Sequence, residues 1–159
     1  AGKSIRFRES DVRSVGRTAI GVRGIRLADK DRVVSLIVAE SDDPILTATE
    51  KGYGKRTQLD EYRAQARGGS GVISIKTSDR NGQVVGAIQV TDEDEMMLIS
   101  DKGTLVRARA SDVSIIGRNT QGVTLINIAD DESLVSVAKI AETEDDEDVS
   151  EEVIETSDD

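Results

Sequence analysis

Three stretches of this 159-residue chain repeat one another, and that periodicity limits the fold more than any other feature. Gly2-Lys3-Ser4-Ile5-Arg6, Gly52-Tyr53-Gly54-Lys55-Arg56 and Gly103-Thr104-Leu105-Val106-Arg107 each open on glycine, with arginine four residues on, at offsets of 50 and 51. The same offsets relate Asp11-Val12, Glu61-Tyr62 and Asp112-Val113. Arg17, Arg67 and Arg118 each stand four residues before a glycine (Gly21, Gly71, Gly122), and valine follows every one of those glycines. Ile25, Ile75 and Ile126 coincide next. Val33-Val34-Ser35, Val84-Val85-Gly86 and Leu134-Val135-Ser136 then align, after one extra residue in the second copy. The chain therefore divides into repeats at 1–50, 51–101 and 102–141, with a tail at 142–159.

Each repeat reads as β-strands. Val22 to Leu27, Val72 to Lys76 and Val123 to Ile128 are short, β-branched and bounded by turn residues. Val33 to Val38, Val84 to Val90 and Leu134 to Val137 have the same character, and Ile45 to Thr49 and Met96 to Ser100 supply a further strand. Asn81-Gly82 is a tight-turn signal. About four strands in 50 residues is the size of a propeller blade, so the expected fold is all-β, with three four-stranded blades. Closed propellers have about four to eight blades. Three blades are then part of a longer chain, or two copies pair as a homodimer to complete the ring.

Composition removes whole classes of function. The chain has no Cys and no His, so it lacks disulfides, thiol chemistry, the commonest metal ligand and the commonest general base. No Ser–His or Cys–His arrangement is available. The reading has no catalytic residue, no cofactor and no metal site. No apolar run approaches the roughly 18 residues of a membrane span, and Ala1-Gly2-Lys3-Ser4 does not open a signal peptide. A cytoplasmic protein is expected. Gly2-Lys3-Ser4 resembles the end of a phosphate-binding loop, but the repeat already accounts for Gly2.

The net charge of −10 is unevenly placed. Residues 142–159 hold 11 of the 31 acids and none of the 21 bases, leaving 20 acids against 21 bases in residues 1–141. Such a tail is expected to stay disordered, as a solubilising end or as a decoy for the basic body. In the body, Arg6, Arg56 and Arg107 form one register and Arg17, Arg67 and Arg118 another, with Arg8, Arg23, Arg26, Lys55, Arg63, Lys76 and Arg109 adding charge. Repeated around a ring, these registers predict a curved basic edge suited to phosphates, reached also by backbone N–H groups of Gly68 and Gly69. The alternative is that each arginine bridges within its own blade. Asp11, Glu61 and Asp112 recur once per repeat and predict pairing with Arg6, Arg56 and Arg107 of the same repeat. With Phe7, Tyr53 and Tyr62 as the only aromatics, backbone-directed duplex binding fits better than stacking on single strands.

Gln65-Ala66-Arg67-Gly68-Gly69-Ser70-Gly71 resembles the Gln-Arg-Arg-Gly-Gly-Lys-Gly "GyrA box" of the C-terminal domain of DNA gyrase A subunits, matching five of seven positions. Gly21 to Leu27, Gly52 to Thr57, Glu61 to Arg63 and Gly117 to Val123 extend the resemblance over residues 2–140. It implies a β-pinwheel, a six-bladed propeller variant whose blades exchange strands. The chain would be its last three blades plus an acidic tail. The implied function is binding and wrapping of double-stranded DNA in support of negative supercoiling. The implied partners are the remainder of the gyrase A subunit, together with the gyrase B subunit, in a bacterial, nucleoid-associated enzyme. The fragment itself would be no enzyme. The expected DNA-binding residues are Lys55, Arg56, Arg67, Gly68, Gly69, Arg107, Arg118, Arg6 and Arg17. The corresponding domain of the topoisomerase IV A subunit, or else a protein-binding propeller scaffold, is the rival reading.

Overall fold

A computed structural model describes residues 1–141. The tail at 142–159, and the expectation that it is disordered, lie outside the described residues. The architecture is all-β. Among the described residues its nine strands are β1 (Lys3–Ser4), β2 (Ile45–Thr49), β3 (Tyr53–Thr57), β4 (Val72–Ile73), β5 (Val84–Gln89), β6 (Glu95–Ser100), β7 (Leu105–Arg109), β8 (Val123–Thr124) and β9 (Leu134–Lys139). One 3-10 turn follows the opening strand of each repeat, at Glu9–Asp11, Leu59–Glu61 and Ala110–Asp112.

The central sheet has the order β5-β2-β3-β8, and every neighbouring pair is antiparallel. Its middle strand, β2, is buried at all five positions because strands flank it and layers cover both faces. The outermost strand, β8, belongs to the third repeat. Tyr53 pairs with Thr124 and Gly54 with Val123. One repeat earlier the same exchange joins β1 to β4, with Lys3 opposite Ile73 and Ser4 opposite Val72. The second and third repeats thus each lend a short strand to the sheet of the repeat before it, which links the blades by backbone ladders as well as by side chains. The boundaries at 50/51 and 101/102 fall in the turns of the β2–β3 and β6–β7 hairpins, so the sequence repeat and the sheet cut the chain at different places.

Among the described residues only the central sheet has four strands. The third is β7-β6-β9, and β1 pairs with β4 alone. The expected strands at Val22 to Leu27 and Val33 to Val38 do not form. Residues 33–38 have no strand partner among the described residues, and Val33, Leu36 and Val38 are exposed at 62%, 89% and 72%. Val72 to Lys76 and Val123 to Ile128 shorten to two-residue strands because each meets its neighbour's sheet over only two residues.

The core lies between sheets. Leu46, Ala48, Val90, Met96, Leu98, Val113, Ile126, Leu134 and Val137 form one cluster between the second and third blades. Met96, Leu98 and Ser100 alternate inward along β6, the period of a strand with one buried face. Between the first and second repeats the cluster is smaller: Ile45, Leu59 and Tyr62, with Ile37, Val72 and Ala87 against them. No helix among the described residues is long and apolar enough to cross a membrane.

Candidate nucleic-acid interface

The first arginine register reaches forward from each repeat into the next. Nη1 of Arg6 donates to the carbonyls of Leu59 and Tyr62 at 3.0 and 3.2 Å, capping the second 3-10 turn. One repeat on, Nε of Arg56 donates to the Val113 carbonyl at 2.8 Å, at the end of the third turn. Its Nη1 pairs with Asp92. Arg56 is 4% exposed. Arg107 has no following repeat among the described residues; it pairs with Glu95 of its own sheet, and its side chain is 64% exposed. The guanidinium of Arg56, expected to face a phosphate, lies inside, held by a carbonyl and a carboxylate.

The second register reaches backward. Arg67 donates from Nε to the Asp11 carbonyl at 3.1 Å and from Nη1 to the Arg23 carbonyl. Nη1 of Arg118 donates to the Ile73 carbonyl at 2.7 Å, the position equivalent to Arg23. Both side chains are half-buried. The Nε of Arg118 is enclosed with no acceptor among the described residues. Arg17, whose preceding repeat is absent from the described residues, is exposed.

The box at 65–71 is wedged between two repeats. The Gln65 N–H donates to the Arg6 carbonyl at 2.9 Å, and the Gly68 N–H to the Gly24 carbonyl at 2.7 Å. The Gly69 carbonyl accepts the Arg26 N–H at 2.8 Å. Ala66 and Ser70 are exposed. Gly71 has φ +72°, and a Cβ there would lie 2.2 Å from the Ser4 carbonyl oxygen, so glycine alone permits the close approach of the box to β1. The Gly68 N–H, expected to reach a phosphate, is thus engaged by the Gly24 carbonyl.

Lys55 is fully buried. Its ammonium donates to the carbonyls of Gly117 and Arg118, both at 2.6 Å, and to Oγ1 of Thr120 at 3.1 Å. Burial lowers its pKa from 10.5 to about 8, against the opposing pull of the Glu61 carboxylate and with a smaller push from Arg118. Lys55, expected to contact DNA, thus holds the third repeat's equivalent of the box, residues 116–122, from beneath. The equivalent residue in the first repeat is Ile5, whose Cδ1 approaches within 3.8 Å of where a Cβ on Gly69 would stand.

Pairing of Asp11, Glu61 and Asp112 with the arginine of the same repeat is also corrected. Glu61 accepts the Arg118 N–H at 3.1 Å, across the junction, and Asp11 accepts the Arg8 N–H at 3.3 Å. The sequence did not reveal that both arginine registers join one repeat to another. A signal was present, since their partners recur at the same two offsets. Among the described residues no group of three or more Asp or Glu could hold a metal ion.

The model of the family described as "DNA gyrase C-terminal domain, beta-propeller" matches residues 1–40, 43–91 and 94–141. The chain is 60% identical over 149 residues to the DNA gyrase A subunit of Klebsiella oxytoca, covering 94% of this chain and 17% of that protein. It is 57% identical over 148 residues to the DNA gyrase A subunit of Escherichia coli (strain K12), covering 93% of this chain and again 17% of the relative. The chain thus spans about a sixth of these relatives. A solved DNA gyrase A C-terminal domain superposes with a TM-score of 0.82 at 33% identity, over 88% of this chain and 48% of that one. The C-terminal domain of DNA topoisomerase IV superposes with a TM-score of 0.81 at 27% identity, over 87% and 44%.

Proposed function

The chain belongs to the DNA gyrase C-terminal domain family, and on that premise we propose that its blades bind and bend duplex DNA through its phosphates. In this reading the segment is the last three of six blades. It works with the remainder of the gyrase A subunit, alongside the gyrase B subunit, and it supports negative supercoiling by guiding DNA rather than by chemistry of its own.

The observation that carries the reading is the recurrence of solvent-facing cations at successive blade junctions, on a body whose acidic excess is confined to the tail. Arg67 and Arg118, which have a neighbouring repeat on both sides of their junction among the described residues, remain half-exposed and belong to the proposed surface. Lys55 and Arg56 do not. The name shared by the curated relatives favours gyrase over topoisomerase IV.

The test is duplex binding against salt by the full-length protein carrying this segment and by a form lacking residues 1–141. Loss of the segment should weaken binding and flatten the log–log dependence on salt, because fewer counterions are released. An unchanged slope and affinity would leave the blades as a scaffold for other proteins. A supercoiling assay on relaxed circular DNA separates the gyrase reading from the topoisomerase IV reading, since only the first expects net negative supercoils.

A further inference from the structure

A third register of residues lies against the boxes, and it differs from both arginine registers in what its side chains do. Residues 23–26 are pinned along their backbone to the second repeat's box. The Arg23 carbonyl accepts from Arg67, the Gly24 carbonyl from the Gly68 N–H at 2.7 Å, and the Arg26 N–H donates to the Gly69 carbonyl at 2.8 Å. Residues 73–76 meet the third repeat's box in the same way. The Ile73 carbonyl accepts from Arg118 at 2.7 Å, and the Lys76 N–H donates to the Thr120 carbonyl at 2.8 Å. The side chains of Arg23, Arg26 and Lys76 are exposed. Among the described residues none of the three takes part in a side-chain hydrogen bond or ion pair.

This combination suits phosphate binding better than the box arginines do. Arg67 has two of its donors on protein carbonyls, and Arg118 has one donor so engaged and a second enclosed. Arg23, Arg26 and Lys76 keep every side-chain donor for a ligand. Their backbones are already fixed, so less freedom is lost when a phosphate binds. In the third repeat the equivalent positions are Thr124 and Asn127, both exposed and both uncharged. The charge of the register therefore runs two, one, none along the chain.

We infer that Arg23, Arg26 and Lys76 form a graded phosphate track, densest beside the second repeat's box and ending at Asn127. The inference rests on the duplex-binding reading and adds where on the edge the DNA is held and where it is released. The box arginines position the track by fixing the carbonyls on either side of it.

The experiment is a salt titration of duplex binding by the full-length protein carrying this segment. The variants are Arg23→Ala/Arg26→Ala, Lys76→Ala and Asn127→Lys, with thermal unfolding as a check that each folds. Each phosphate contact contributes about 0.9 to the log–log slope. The double variant should lose about 2 from the slope and Lys76→Ala about 1, while Asn127→Lys should gain about 1. Slopes equal to wild type in the double variant and in Lys76→Ala would overturn the track. If those slopes are unchanged while deletion of residues 1–141 still flattens the dependence, the DNA reading stands and only this placement fails. If the deletion also changes nothing, both fail.

Discussion

The two junctions between blades use the same ties on different foundations. At both, an arginine reaches forward to a 3-10 turn, another reaches back to a backbone carbonyl of the preceding repeat, and a short strand crosses into the neighbouring sheet. Beneath the box, however, the first junction has the apolar Ile5 and the second has the ammonium of Lys55. The second junction also has the larger core. The box over Lys55, Ile116 to Gly122, is the one that departs further from the family pattern. Asn119 and Thr120 stand there in place of Gly68 and Gly69, and the loop is held from below by three hydrogen bonds. The lesson is that a repeat can lose its signature and keep its geometry when a neighbouring repeat supplies the missing contacts.

The sharpest way to break this comparison is to prevent the close approach. A Cβ on Gly71 would lie 2.2 Å from the Ser4 carbonyl oxygen, and one on Gly122 would lie 2.6 Å from that of Gly54. At Gly21 nothing stands within 4 Å, although φ is +84° there. Gly71→Ala and Gly122→Ala combine a backbone clash with left-handed strain and should each cost about 3–5 kcal/mol. Gly21→Ala carries the strain alone, about 1–2 kcal/mol. Urea unfolding of the three variants measures the difference. Equal losses at all three would mean that the strand exchange contributes little to stability.

Next in size is the contrast between Lys55 and Ile5. Lys55→Ala strands the Gly117 and Arg118 carbonyls in a buried site, at about 3 kcal/mol. Ile5→Ala removes half-buried apolar contact and should cost about 1–2 kcal/mol. Lys55→Met should be milder than Lys55→Ala, because burying an ammonium is itself costly and the methionine fills the space. The charge also leaves a mark on pH dependence. Lys55 titrates near 8 in the folded chain and at its ordinary 10.5 when unfolded. Between those values the unfolded chain holds a proton that the folded chain has released, so stability rises with pH across the window. The wild type should gain stability relative to Lys55→Met from about pH 8 to pH 10.5, with no change in that difference from about pH 6 to 7.5. A flat difference across the whole range would mean that Lys55 stays charged at no cost.

Much of this was legible in the sequence, because a repeat displays its own register. The three glycine-led openings, the valine after each later glycine and the alternation along β6 follow from strand and turn geometry. They pointed to the all-β blades and to the family. The sheet composition was not legible, since β8 and β4 are two-residue strands whose partners lie in another repeat. Nothing in Val123-Thr124 itself marks Gly54 and Tyr53 as its neighbours. The site was read less well for a related reason. Sequence shows that Arg6, Arg56, Arg67 and Arg118 recur, but recurrence is equally the mark of a tie between repeats and of a surface repeated around a ring. Burial decides between these, and burial depends on the neighbouring repeat. Lys55 breaks the pattern, with Ile5 and Val106 at its equivalent positions. That departure was the available sign that it does something different from the arginine beside it.

The smallest expected effect sorts the forward arginines by what each one reaches. Arg56 is buried and holds the Val113 carbonyl, so Arg56→Met leaves that acceptor unsatisfied at about 2 kcal/mol. Arg6 gives a single Nη1 to two carbonyls at 3.0 and 3.2 Å from a half-buried position, and Arg6→Met should cost about 1 kcal/mol. Arg107 has only the exposed ion pair with Glu95, and Arg107→Met should fall within about 0.5 kcal/mol of wild type. Salt tells the three apart a second way. The Arg107 difference should vanish at high ionic strength, where an exposed pair is screened, while the Arg6 difference persists because its acceptors are uncharged carbonyls, and the Arg56 difference persists in the part that comes from the Val113 carbonyl and falls only by the part that comes from Asp92. If Arg107→Met cost as much as Arg56→Met, the register would stabilise each blade from within. The forward ties would then be a consequence of blade packing rather than a cause of it.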